Sequence, residues 1–442
     1  MNRLLSCCQG YTLVGLKDTA FLLCEQSSLV VELKKGPSNY LKEPPKDEEV
    51  EGGEPSNKSD GDDDDKKKNK TDEELNTIHA VALKRDGQTV LYCAVARGDK
   101  SLAIYKLDLH VTQAQELLPL MVYITPKRLS CMAFTTWPSG DDGEEKISDA
   151  TSKPPATLLL AGDLAGDAYA YSLDVERKRQ RLLLGHTASM LTGLCVVNNV
   201  LLTADRDEKI RISSFPRTIV VEGFLLGHEA YLTALDATQD GVVVSAGGDC
   251  TIRLWNLEKL SQIFSISTNA GEQQKEGDDP KDRIPTDLCL NADGSLLAVI
   301  FDQCNRLDIF QITGDRESGS KLEFHQSISC SAQPLGVRCQ GNDSFHVLLQ
   351  DPSYICCFRL NDGRLEEIKD DSIQALVLAA TERKIVMPNA ILERDQYDQI
   401  KLKKLHETRG PSSGEEPWNR VERIEIAKEA GRRHKRRRRG ED

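Results

Sequence analysis

Apolar and polar residues alternate with a period of two along much of the chain, in short runs broken by Asp-Gly and Gly-Asp pairs. Residues 79–99, HAVALKRDGQTVLYCAVARGD, and residues 286–302, TDLCLNADGSLLAVIFD, show the pattern most clearly. Alternation sends every second side chain to the same face, so these runs predict half-buried antiparallel strands joined by tight hairpins. They are expected to be second and third strands of four-stranded units. Nowhere do strands of this kind alternate with long amphipathic helices, so the fold class is all-β.

The strand pattern itself repeats. Gly227-His228 is followed by SAGGDCTIRLWN, with Asp249 21 residues after His228 and Trp255 six beyond it. Gly185-His186 is followed by TADRDEKIRIS, with Asp207 21 residues after His186 and Ser213 in the place of the tryptophan. A period of about 40–45 residues with a Gly-His pair, a turn aspartate and a terminal tryptophan is the mark of a WD-type β-propeller blade. Stepping along the chain, with insertions allowed at 135–156 and 268–283, gives seven blades with Val31, Tyr105, Tyr171, Ser213, Trp255, Phe310 and Phe358 in equivalent slots. The ring is expected to close through strands in IQALVLAATERKIVM, residues 373–387.

His228, Ser245, Asp249 and Trp255, with His186 and Asp207 one repeat earlier, resemble a charge-relay set. Their spacing is that of residues that hydrogen-bond within a blade, so they are read as structural. Glycine-rich segments that could cradle a cofactor phosphate, AGDLAGD and SAGGD, lie inside propeller hairpins. No phosphate-binding loop, nucleophile elbow or metal-binding helix motif is present, so no catalytic, cofactor or metal residue is expected.

Thirteen cysteines are scattered through apparent strands without paired C-x-x-C spacing, which favours small buried hydrophobes over zinc ligands. No run is apolar enough for a membrane span and the amino terminus lacks a sustained signal-peptide core, so a reducing compartment is expected. Net charge is −13, from 57 basic and 70 acidic residues. Much of the acid lies in a low-complexity insertion, residues 43–75, expected to be disordered. The propeller is expected over 1–390 and a charged helical tail over 391–442. That tail carries two helices separated by Gly410-Pro411-Ser412-Ser413-Gly414, the second with Trp418, Val421, Ile424 and Ala427 spaced by threes. It ends in Arg432, Arg433, Lys435, Arg436, Arg437, Arg438 and Arg439, a cluster suited to nuclear import, to phosphate contact or simply to solubility. The expected location is the nucleus, with the cytoplasm second.

The segment LLTADRDEKIRISSFPRTIVVEGFLLGHEAYLTAL, with LLLGHTASMLTGL and GDLAGDAYAYSL before it, resembles the WD-repeat non-catalytic subunit of the eukaryotic tRNA (guanine-N7)-methyltransferase. The resemblance covers about 160–260 well. It implies a heterodimer in which a catalytic partner binds S-adenosylmethionine and methylates a guanine in tRNA, while this chain holds that partner in an active state. It further implies Arg206, Glu208, Lys209 and Arg211 as partner-binding residues, with Asp205 and Asp207 shaping the turn. Arg253 occupies the slot of Arg211 one repeat later, so an ordinary blade-surface role stands beside the interfacial one. The alternative function is that of a nuclear WD-repeat adaptor for chromatin, DNA-repair or ubiquitin-ligase complexes, on the same fold.

Overall fold

The chain divides into two units, residues 1–388 and 389–442. The computed structural model describes residues 4–16, 18–24, 29–35, 75–85, 88–108, 116–137, 157–175, 179–187, 189–269, 283–314, 320–350, 354–368 and 371–382, all in the first unit. They form seven sheets, antiparallel but for one added strand. The first strands of these sheets are Leu5–Cys8, Leu75–Arg85, Leu129–Thr136, Leu191–Val197, Leu232–Ala237, Pro285–Leu290 and Pro334–Gln340. Each touches the first strands of the two neighbouring sheets, and the last touches the first, so the sheets are blades of a closed seven-bladed propeller.

The alternation seen in the sequence explains where the core lies. Both faces of an inner blade are covered by its neighbours, so apolar residues collect between blades rather than in one central mass. Tyr92, Ile104 and Met121 of blade 2 pack with Leu159 and Tyr171 of blade 3. Leu202, Ile210 and Ile212 of blade 4 pack with Leu232, Val243 and Trp255 of blade 5. Each blade therefore depends on its neighbours for its burial.

Four sequence expectations change. Residues 79–99 and 286–302 are the first and second strands of blades 2 and 6, not the second and third. Val31 lies on the fourth strand of blade 1, Leu29–Leu33, because all four strands of that blade are compressed into residues 5–33 by short turns; its third strand is Thr19–Cys24. Leu75, assigned to the acidic insertion, opens a strand and is buried.

The fourth change concerns ring closure. Residues 371–382 are an α-helix, not closing strands. Leu376 is fully buried, with Ile373 and Val377 partly buried against the same cluster, a spacing that suits a helix and would split across the two faces of a strand. The helix packs on the third and fourth strands of blade 1 and the third strand of blade 7. Blades 1 and 7 are each complete within one stretch of chain, so the helix braces the seam between them. The expected tail helices and the terminal basic cluster lie outside the described residues.

Blade 1 carries a fifth strand. Glu116–Leu117, from the excursion between the third and fourth strands of blade 2, pairs in parallel with the outer strand of blade 1. The Lys34 N–H donates to the Leu117 carbonyl at 2.9 Å, and the Lys34 ammonium lies 2.9 Å from Glu32 and 3.1 Å from Glu116. An outer edge of this propeller thus already accepts an added strand from elsewhere in the chain.

Candidate functional site

Blade 5 contains the complete hydrogen-bond set. His228 Nδ1 lies 2.9 Å from Asp249 Oδ2, and His228 Nε2 lies 2.7 Å from Ser245 Oγ. The Trp255 indole N–H donates to the same Ser245 oxygen at 2.7 Å. Burial pushes the Asp249 carboxyl up, but the His228 hydrogen bond and charge outweigh it, with help from the Glu229 N–H and the Thr251 hydroxyl, leaving it at about 2. Ser245 is fully buried between two rings and has no face open to a substrate. These residues hold the blade together.

Blade 4 uses a different aspartate from the one its spacing suggests. His186 Nδ1 lies 2.9 Å from Asp205 Oδ2, not from Asp207, and His186 Nε2 lies 2.8 Å from Thr203 Oγ1. The register explains the exchange: Leu191 pairs with Asp205 in blade 4 as Leu232 pairs with Gly247 in blade 5. A Cβ built at Gly247 would stand 2.8 Å from His228 Nδ1, so a side chain at this position points straight at the histidine. Asp205 fills that position, takes the histidine, and accepts the N–H groups of Asp207 and Lys209 at 2.8 and 3.1 Å. Burial opposes its ionisation, but the His186 contact and these donors hold its pKa below the ordinary value.

The consequence lies in the turn. Asp207, Glu208 and Lys209 are all exposed and Arg206 is half-buried beside them. Glu208 takes φ +76°, the left-handed conformation that Cys250 takes at the matching place in blade 5. Blade 4 therefore presents both signs of charge on a fixed turn, and its aspartate is not consumed in holding the blade.

Arg211 is placed differently. Its Nε donates to Ser213 Oγ at 3.0 Å, and its two terminal nitrogens donate to the carbonyls of Gly185 and Thr218 at 3.2 and 3.3 Å. Partial burial lowers its pKa. Ser213 occupies the tryptophan slot, so its hydroxyl is available to the guanidinium where blade 5 has an indole. Arg253, in the same slot one repeat later, turns instead towards Thr251, Gln262 and Asp249. The structure thus brings Arg206, Asp207, Glu208 and Lys209 together on the turn and seats Arg211 deeper, bridging the outer strand of blade 3 to the loop before the outer strand of blade 4.

Among the described residues no cluster of His, Cys, Asp and Glu could hold a metal ion, and the cysteines are free thiols. No described helix is long and apolar enough to cross a membrane. One feature with no mark in the sequence is the outer strand of blade 4, Val221–Leu226: Val221, Glu222, Phe224 and Leu226 are exposed and only Leu225 is buried.

Seven blades in a closed ring, one held by a full His-Ser-Asp-Trp set and its neighbour by a His-Thr-Asp form of it, define a WD-repeat β-propeller. The fold is similar to that of a chain in a crystal structure of the mitotic checkpoint complex, with a TM-score of 0.54 and 14% identity over 82% of this chain and 90% of that one. Residues 172–350, which include the whole of blade 4, match the tRNA methyltransferase TRM82 WD40 domain. A wuho non-catalytic subunit of tRNA (guanine-N(7)-)-methyltransferase from Culex quinquefasciatus is 29% identical over 64% of this chain and 62% of its own length. The WDR4 subunit of the same description from Homo sapiens is 28% identical over 43% of this chain and 46% of its own length. A TRM82 subunit from Lodderomyces elongisporus is 24% identical over 67% of this chain and 77% of its own length. The chain spans about half to three-fifths of the length of the first relatives it matches. The resemblance carried by the DRDE blade is borne out: this propeller is similar to the non-catalytic subunits of tRNA (guanine-N7)-methyltransferase.

Proposed function

We propose that this chain is the non-catalytic scaffold subunit of a heterodimeric tRNA (guanine-N7)-methyltransferase. It binds the catalytic subunit and keeps it competent to methylate a guanine in tRNA, while S-adenosylmethionine resides on that partner. The observation that carries the reading is the blade 4 turn. Asp205 replaces Asp207 in the histidine contact, which leaves Asp207, Glu208 and Lys209 exposed on a rigid hairpin within the region matched to the family. Charges fixed on a hairpin set register and partner choice better than charges on a free loop. Arg206, Glu208 and Lys209 are the partner contacts, and Arg211 supports them from beneath. The basic cluster Arg432–Arg439 directs the chain to the nucleus.

Isolation of the tagged protein from its own cells, followed by mass spectrometry of what accompanies it, tests the reading. A methyltransferase at one-to-one stoichiometry is expected. A chromatin, repair or ligase companion with no methyltransferase would replace the reading with that of a nuclear adaptor. Removal of residues 432–439 is expected to reduce nuclear accumulation by fluorescence imaging, and unchanged accumulation would remove the import role.

A further inference from the structure

The outer strand of a propeller blade is a sheet edge, with backbone groups free to pair and side chains at the perimeter. Charged and polar residues guard two of these edges. Blade 7 exposes Arg364, Glu366 and Glu367, and blade 6 exposes Lys321, Glu323 and His325 along with Phe324. The outer edge of blade 1 is covered by the added strand Glu116–Leu117. Blade 4 is unlike all of these. On Val221–Leu226, Leu225 is buried, whereas Phe224 is 42% and Leu226 64% exposed; Ile219, just before the strand, is 89% exposed, and Val220 and Val221 are open as well.

These side chains form one surface with the turn. Leu226 pairs with Lys209 and Phe224 with Arg211 across the sheet, so the apolar row begins beside the exposed charges and runs down the edge. It continues onto blade 3. The Thr218 hydroxyl donates to the Leu183 carbonyl at 2.6 Å, which ties the loop carrying Ile219 to the strand carrying the exposed Leu182. At this far end the surface is basic: Arg181 lies over Trp137, whose ring meets that of Phe215, and exposed Arg179 and Arg217 stand just before that strand and on the loop. Glu222, the exposed acid on the strand itself, already accepts the Ser214 hydroxyl. Five large apolar side chains on and beside one edge, with the mixed charges of the turn at one end and arginines at the other, call for an apolar occupant that carries acid where it meets the arginines.

Resting on the function proposed above, we propose that the outer strand of blade 4 is the edge to which an extended apolar and acidic segment of the catalytic subunit adds as a fifth strand. Backbone pairing gives such a contact its register, alternate apolar side chains cover Phe224 and Leu226, and acidic residues meet the arginines at the far end. The chain's own segments are poorer occupants. Residues 43–74 are acidic, but Val50 is their one large aliphatic residue, and residues 389–442 end in a run of arginines of the same sign as the surround. A contiguous apolar patch on an otherwise polar perimeter is the mark of a partner site.

The test uses the full chain and the methyltransferase subunit that accompanies it in the isolation above. Phe224→Glu with Leu226→Glu is expected to weaken partner binding by at least about 30-fold, with a melting temperature within about 2 °C of the unchanged protein, because both side chains point outward. Phe324→Glu, on the outer strand of blade 6, is expected to bind like the unchanged protein. In the unchanged complex, hydrogen exchange of the amides of residues 221–226 is expected to slow, a readout that needs no variant. Wild-type affinity in the folded double variant, or no added protection at 221–226, would overturn strand addition while leaving the scaffold function intact. Light scattering that shows a dimer of this chain broken by the same double variant would assign the edge to a second copy and overturn it also. An unchanged chain that takes up no methyltransferase at all would remove the proposed function and strand addition together.

Discussion

Asp205 and Asp207 differ by two positions and by almost everything else. Asp205 is buried against His186 and two backbone donors, whereas Asp207 is exposed. Asp205→Asn is therefore expected to destabilise the protein by about 1–3 kcal/mol, since it weakens a buried charged contact, and Asp207→Asn by less than about 0.5 kcal/mol. Urea unfolding of the two variants measures the difference, and the reverse order would restore the assignment suggested by repeat spacing. The same groups set the response to acid. Both Asp205 and Asp249 have folded pKa values below the ordinary one, Asp249 at about 2. A depressed acid contributes stability that is complete above its unfolded pKa of about 3.9 and is lost as pH falls through the folded value. Melting temperatures are expected to fall as pH drops from about 4 towards 2, and Asp249→Asn is expected to flatten that slope. An identical slope in the variant would place the acid sensitivity elsewhere.

The strands and the helix show which elements a sequence specifies and which need the fold. Blade 5 is legible because its histidine, serine, aspartate and tryptophan are all present, so spacing alone names them. Blade 4 keeps the spacing but moves the contact, and only the position of Asp205 opposite Leu191 reveals it. Val31 falls one strand beyond its expected slot because blade 1 carries no Gly-His or tryptophan mark to fix its register and is the most compressed blade. The strip on the outer strand of blade 4 was hidden because VEGFLL has the composition of a core strand, and exposure depends on whether another sheet covers the edge. The apolar pattern of residues 373–387 suits either strand or helix until its burial is known, and Leu376 with Ile373 and Val377 decides for the helix. The helix now carries its own prediction. Leu376→Ala removes a fully buried side chain at the seam of blades 1 and 7 and is expected to cost about 2–5 kcal/mol, whereas Leu378→Ala, at an exposed position, is expected to be near neutral. Equal effects in thermal unfolding would show that the helix does not brace the ring.

At the scale of the whole molecule, seven blades that share their cores around a ring make a rigid perimeter, and one sector of it differs from the rest. Blade 4 exposes charge on its turn and apolar residues on its edge, and it lies wholly within the segment similar to the methyltransferase subunits. Reversing the charges of Arg206 and Lys209 is expected to lower affinity for the catalytic subunit by about 10-fold or more, with little change in unfolding. Loss of folding would instead assign the pair to the blade's internal support. The central claim is that this chain enables methylation without performing it, and a reconstituted methyl-transfer assay tests that most directly. Purified chain, its methyltransferase companion, and the two together would each be given tRNA and S-adenosylmethionine, and N7-methylguanine would be counted. The account predicts no product from this chain alone and substantially more from the pair than from the companion alone. Product from this chain by itself, or a companion indifferent to its presence, would contradict it.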